Sequence, residues 1–143
     1  MHRVTLAEVE QIAFLIAQKR FRFDEPIPAF VTRFPGILES CLETPHQTYG
    51  KKDLYPSALD KLAILFYLMN KNHPFQNGNK RVAMTTLFYA LYEEKHWLRV
   101  DTQELYNFAK WVAGSPPGAK TEVVEYIKKF IKKYIIALES APK

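Results

Sequence analysis

Nine consecutive positions, His73-Pro74-Phe75-Gln76-Asn77-Gly78-Asn79-Lys80-Arg81, bring together an imidazole, side-chain amides, a glycine and two cations. His73 is the residue type that takes a proton near neutral pH. Gly78 can adopt positive φ, or let a ligand approach where a Cβ would obstruct. The backbone amides of Gly78, Asn79, Lys80 and Arg81 fall where a second helix should begin, and unpaired N–H groups plus the helix dipole make such an end an anion site. Lys80 and Arg81 add two full charges, and an arginine can grip phosphate through two parallel hydrogen bonds. Phe75 is expected to anchor the loop in the core, and Pro74 fixes φ beside the base. A base opposite a phosphate cradle suits attack by a hydroxyl on phosphorus.

The flanking segments should hold that loop between two buried helices. Residues 62–69 (LAILFYLM) are apolar on every side, as in a helix enclosed by others. Ser57-x-x-Asp60 opens that helix as a capping box, with Pro56 just outside. After the loop, Val82, Ala83, Leu87, Ala90 and Leu91 recur at helical spacing as far as Tyr92. The nine residues therefore read as a helix–loop–helix joint at the centre of the chain.

HPFQNGNKR resembles the signature loop of the Fic/Doc superfamily, H-x-F-x-(D/E)-(G/A)-N-(G/K)-R. Lysine in the penultimate place, and Met84 where a second arginine would stand, are closer to the death-on-curing (Doc) branch than to the AMP-transferring Fic branch. The likeness runs through residues 38–84. It implies an all-α fold, a compact helical bundle with a short flap before the central helix, formed by residues 1–143 as one domain. It further implies a cytoplasmic toxin that moves a phosphoryl group from ATP or another nucleoside triphosphate to a hydroxyl of a target protein. In the branch's best-known member that target is elongation factor Tu, and a small antitoxin silences the toxin. On this resemblance His73 is the catalytic base; Gly78, Asn79, Lys80 and Arg81 hold the nucleotide phosphates; residues 46–53 form the flap that aligns the target. A flap edge can take an extended peptide as an added strand.

One position departs from the pattern. Asn77 stands where the family carries the acidic residue that holds Mg²⁺. Magnesium favours carboxylate oxygens, and an amide carbonyl brings no charge. Three readings stay open: a weakened enzyme, an enzyme whose Mg²⁺ is held by nucleotide and water, or a binding protein without catalysis. AMP transfer through the same base is a further alternative.

Composition narrows the classes. The chain has 143 residues, enough for one domain with a real core, and 48% of them are apolar. Its charge of +5, from 20 cations against 15 carboxylates, favours anionic partners such as nucleotides or an acidic antitoxin tail. The cations are too scattered to point to nucleic acid. A single cysteine, Cys41, allows no internal disulfide and suits a reducing cytosol. The histidines, His2, His46, His73 and His96, show no zinc spacing, and the chain has no Gly-x-Ser-x-Gly elbow, P-loop or dinucleotide fingerprint. The first residues carry no secretory pattern, and no apolar run reaches membrane-spanning length, so no membrane partner is expected.

The remaining elements follow from local signals. Thr5-x-x-Glu8 caps a first helix with Leu6, Val9, Ala13 and Ile16 inward and with Lys19, Arg20 and Arg22 at its end. Pro26 and Pro28 break the chain, and a short helix follows from Gly36 to Glu43 with Ile37, Leu38, Cys41 and Leu42 inward. Glu93, Glu94 and Lys95 read as solvated, and Trp97, Leu98 and Val100 as a short extended link. Asp101-x-x-Glu104 caps a helix burying Leu105, Phe108, Ala109 and Val112, ended by Gly114-Ser115-Pro116-Pro117-Gly118. The last helix starts near Lys120 or Thr121. Its apolar side comprises Val123, Val124, Ile127, Phe130, Ile131, Tyr134 and Leu138, with Lys128, Lys129, Lys132 and Lys133 in water.

Overall fold

The computed structural model describes residues 1–21 and 25–138. Helices dominate: α1 (Leu6–Glu8), α2 (Phe14–Arg20), α3 (Ile37–Glu43), α4 (Ala58–Lys71), α5 (Asn79–Glu93), α6 (Thr102–Ala113) and α7 (Lys120–Tyr134). Two antiparallel pairs of very short strands, β1 (Thr48–Tyr49) with β2 (Lys52–Asp53) and β3 (His96–Leu98) with β4 (Ile135–Ala137), complete it. The all-α expectation holds.

α4 is the axis. Every residue from 61 to 70 is buried, as the unbroken apolar run requires. Its start is fixed by a reciprocal capping box: the Ser57 hydroxyl accepts from Asp60 N at 3.0 Å, and the Asp60 carboxylate accepts from Ser57 N at 3.2 Å. α5 packs beside α4, burying residues 81–88 together with Ala90 and Leu91. α6 and α7 close the other side of α4 with Leu105, Ala109, Val112, Ile127 and Ile131. Phe66 of α4 stacks on Phe108 of α6, which stacks in turn on Phe130 of α7. Between α3 and α4, the 46–53 stretch forms the β1–β2 hairpin. Gly50 and Lys51 take φ of 57° and 66°, the two positive values a tight type I′ turn needs.

Three expectations are corrected. The first helix is not a uniform 3.6-residue stripe, because a π-helical turn at Val9–Ala13 separates α1 from α2. The wider turn moves the inward side to Val9, Ala13, Phe14 and Ala17, leaving Ile16 exposed and Leu6 only half-buried. The Thr85 hydroxyl of α5 donates to Ala13 O at 2.8 Å, so a side chain from the neighbouring helix satisfies a carbonyl where the ladder widens. At the other end, α7 stops at Tyr134, and Leu138 lies beyond it, after β4. Pairing with β3 takes residues 135–137 out of the helix, a tertiary contact that overrides local spacing. Finally, α6 is capped by Asp101 accepting from Gln103 N at 2.7 Å, without reciprocation from Glu104. Arg22 lies outside the described residues.

Candidate active site

The joint between α4 and α5 is built from the backbone outward. α4 ends on Asn72, whose N–H donates to Leu68 O at 2.9 Å. The next residue, His73, closes the helix in the left-handed region with φ 48°. Such caps usually fall to glycine, so an exposed histidine there carries backbone strain of a kind that gathers at functional sites. Pro74 turns the chain inward, and its carbonyl accepts from Phe34 N at 3.0 Å. Phe75 is buried, its ring 5.3 Å from Phe14 and 6.0 Å from Phe30 between centroids. Asn79 clamps the backbone of Phe75: Oδ1 accepts from Phe75 N at 2.8 Å and Nδ2 donates to Phe75 O at 2.9 Å. Both backbone polar groups of Phe75 are therefore tied to Asn79, and His73 stands just outside the clamp in sequence.

The tip of α5 follows. Gly78 is its N-cap at φ 80°, and among the described residues no side chain caps the helix. The Gly78 N–H is already used, donating to Asn77 Oδ1 at 2.8 Å. The amides open to an anion are thus those of the first turn, Asn79, Lys80 and Arg81, one position later than the sequence suggests. Lys80 is half-buried and has no ion pair among the described residues.

Residues 25–28 lie against this tip. A Cβ on Gly78 would sit 2.5 Å from Ile27 Cγ1, so that glycine accommodates both its φ and this side chain. Asn77 Nδ2 donates to Pro26 O at 3.3 Å. Gln18 of α2 holds the same connection, donating to Ile27 O at 3.1 Å. The Arg81 guanidinium, 3% exposed, points inward to Glu25 O at 2.7 Å and Phe21 O at 3.5 Å. The backbone of Arg81 therefore lies on the anion side while its side chain fastens the connection. Gln18 and Ile27 carry no sequence signal for this role: one is a polar residue on a helix, the other an apolar residue between two prolines.

Around the loop, the flap is moored to the axis. Buried Lys61 of α4 donates to Asp53 Oδ2 at 3.1 Å and also to Tyr55 O. Burial, followed by the charges of Arg3 and Lys61, holds the His46 imidazole below its usual value. A recess of about 330 Å³ lined by Gly36, Ile37, Ser40 and Asn72 opens next to His73 in sequence. A larger groove of about 550 Å³ lies elsewhere, between α2, α5 and β3, and none of the nine loop residues lines it. That groove is lined mainly by aliphatic and aromatic side chains, with Arg20, Thr85 and Thr102 among them. Burial also pushes the Cys41 thiol up to about 11, which removes it as a nucleophile.

The fit to Mg²⁺ is poor on the protein side. Asn77 offers only a neutral carbonyl that already accepts one hydrogen bond, and the only described cluster of three metal-ligating His, Cys, Asp or Glu side chains lies far along the chain, at His2, Glu8 and Glu93. Among the described residues no helix is long and apolar enough to cross a membrane.

Comparison with curated proteins and with solved structures returned no match. A family model described as "Fic/DOC family" matches residues 1–91, which hold the whole site: the His73 loop, the tip of α5, the flap and the connection fastened by Arg81. The chain belongs to the Fic/DOC family.

Proposed function

We propose that this protein transfers a phosphoryl group from a nucleoside triphosphate, ATP in the first instance, to a hydroxyl of another protein. The observation that supports the reading is that an exposed, strained His73 and an α5 start that no described side chain caps are joined by a short loop whose Phe75 backbone Asn79 clamps. His73 takes the proton of the incoming hydroxyl. The amides of Asn79 and Lys80 and the Lys80 ammonium stabilise the phosphates. The hydroxyl oxygen bonds to the γ-phosphorus as the bond to the bridging oxygen breaks, and the nucleoside diphosphate leaves. Such transfer depends on positioning and charge stabilisation more than on covalent chemistry. Among the described residues His73 has no hydrogen-bond partner, which is compatible with its role as the base. In this reading the protein is a cytoplasmic Doc-type toxin, elongation factor Tu is the first target to assay, and a small antitoxin is its partner.

A second reading has its own support. Asn77 brings no charge, and the Arg81 guanidinium is committed to carbonyls, which together favour nucleotide binding without transfer. One experiment separates these readings and the AMP-transfer alternative. The protein is incubated with cell lysate and either γ- or α-labelled ATP. Phosphoryl transfer gives γ-label on a lysate protein, reduced about 10²- to 10⁴-fold in His73→Ala. Incorporation of α-label assigns AMP transfer instead. Absence of both labels, with ATP binding retained in calorimetry, leaves the binding role.

A further inference from the structure

Away from the loop, three side chains meet: His2 of the N-terminal segment, Glu8 of α1 and, from far along the chain, Glu93 at the end of α5. One ligand atom from each lies within 4.8 Å of those of the other two. His2 Nε2 stands 3.0 and 2.9 Å from the two Glu8 carboxylate oxygens. Ligands about 2.1 Å from one metal ion are separated by roughly 3 Å along an octahedral edge and by slightly more along a tetrahedral edge. The imidazole and the carboxylate are therefore already spaced as adjacent ligands.

Two further observations point the same way. The carboxylates of Glu8 and Glu93 share this spot, yet among the described residues neither pairs with a lysine or arginine; the His2 ring is the only basic side chain within reach of Glu8. A divalent ion would supply the missing positive charge. In addition, groups outside the triad fix the ligands. Glu8 Oε1 accepts from Thr5 N at 2.8 Å, and the Tyr89 hydroxyl donates to Glu8 Oε2. Tyr89 also reaches the carboxylate of Glu93. The His2 backbone is held through its N–H, which donates to Glu94 Oε2 at 2.9 Å. Ligands oriented by such outer contacts are the usual accompaniment of a working metal site.

We propose that His2, Glu8 and Glu93 bind a divalent transition-metal ion of the zinc class, with water in the remaining positions. One imidazole and two carboxylates are a donor set that suits this class. The ion fastens the N-terminal segment and α1 to the end of α5, and the proposal uses no part of the phosphoryl-transfer reading. The test titrates the metal-stripped protein, residues 1–143 with any tag at the C-terminal end, with zinc chloride in a calorimeter. The expected result is one Zn²⁺ per chain, with affinity reduced at least about ten-fold in His2→Gln and in Glu93→Gln. His46→Ala and His73→Ala should bind as the parent does, and Zn²⁺ should raise the melting temperature of the parent and leave that of His2→Gln unchanged. Both informative substitutions are at exposed positions, and circular dichroism confirms that the variants are folded. Absence of binding tighter than millimolar, or one-to-one binding that survives either substitution, overturns the proposal.

Discussion

Gly78 is asked for two things at once, a left-handed backbone and room for Ile27. Placing a Cβ there adds left-handed strain of about 1–2 kcal/mol and, separately, an overlap with Ile27 of about 1–3 kcal/mol. Gly78→Ala is therefore expected to lower unfolding stability by about 2–5 kcal/mol in urea titration. In an Ile27→Ala background the overlap disappears and only the strain remains, so the cost of Gly78→Ala should fall to about 1–2 kcal/mol. Equal costs in both backgrounds would show that Ile27 does not press on the loop. The types of the loop residues were legible in the sequence, because positive φ, a buried aromatic anchor and a helix start all have local signatures. Their partners were not. Arg81 and Lys80 look alike as phosphate ligands in a string of letters, and only the fold shows that the arginine side chain turns inward to Glu25 O while the lysine is left without an ion pair among the described residues.

Among the elements, α1 and α5 are joined by one charged contact whose strength pH can read. Burial alone would raise the Glu8 carboxyl. The Tyr89 hydroxyl, the Thr5 backbone N–H and His2 outweigh it and hold the group down at about 2. The unfolded chain keeps an ordinary carboxyl, so this contact contributes its stability above about pH 4.5 and loses it as pH falls towards 2. Removing the hydroxyl with Tyr89→Phe should cost about 1–3 kcal/mol at pH 7 and flatten the fall in melting temperature between those pH values. A variant with the same acid slope as the parent would place the lowering of Glu8 elsewhere. The capping box that starts α1 was readable from Thr5 and Glu8 because it is a contact between near neighbours. The π-helical turn after it was not, since its accommodation depends on Thr85, far along the chain. The β3–β4 pair was hidden for the same reason: residues 135–137 continue an amphipathic pattern, and only the distant strand at His96–Leu98 makes them extended.

For the molecule as a whole, the family match ends at residue 91, whereas the packing does not. α4 is buried all round, and part of its cover comes from α6 and α7. Leu105, Val112, Ile127 and Ile131 are each essentially inaccessible, and full burial of one such side chain contributes about 1.5–3 kcal/mol. Taking them away would expose that side of α4, including Phe66, whose ring stacks on Phe108, and would also remove the Ser115 carbonyl that accepts from Lys71 at the end of the helix leading to His73. Lys128 of α7, moreover, reaches Asp60 Oδ1 at 2.9 Å, in the capping box that starts the same helix. Both ends of α4 are therefore secured by residues beyond the matched segment. A fragment of residues 1–95 keeps every loop residue but loses these supports, and their summed burial is comparable to the net stability of about 5–15 kcal/mol that such domains possess. The fragment is expected to show no cooperative thermal transition by circular dichroism and collapsed amide dispersion by nuclear magnetic resonance. A sigmoidal melt from the fragment would mean that the first 95 residues carry their own core and that α6 and α7 are an addition to it.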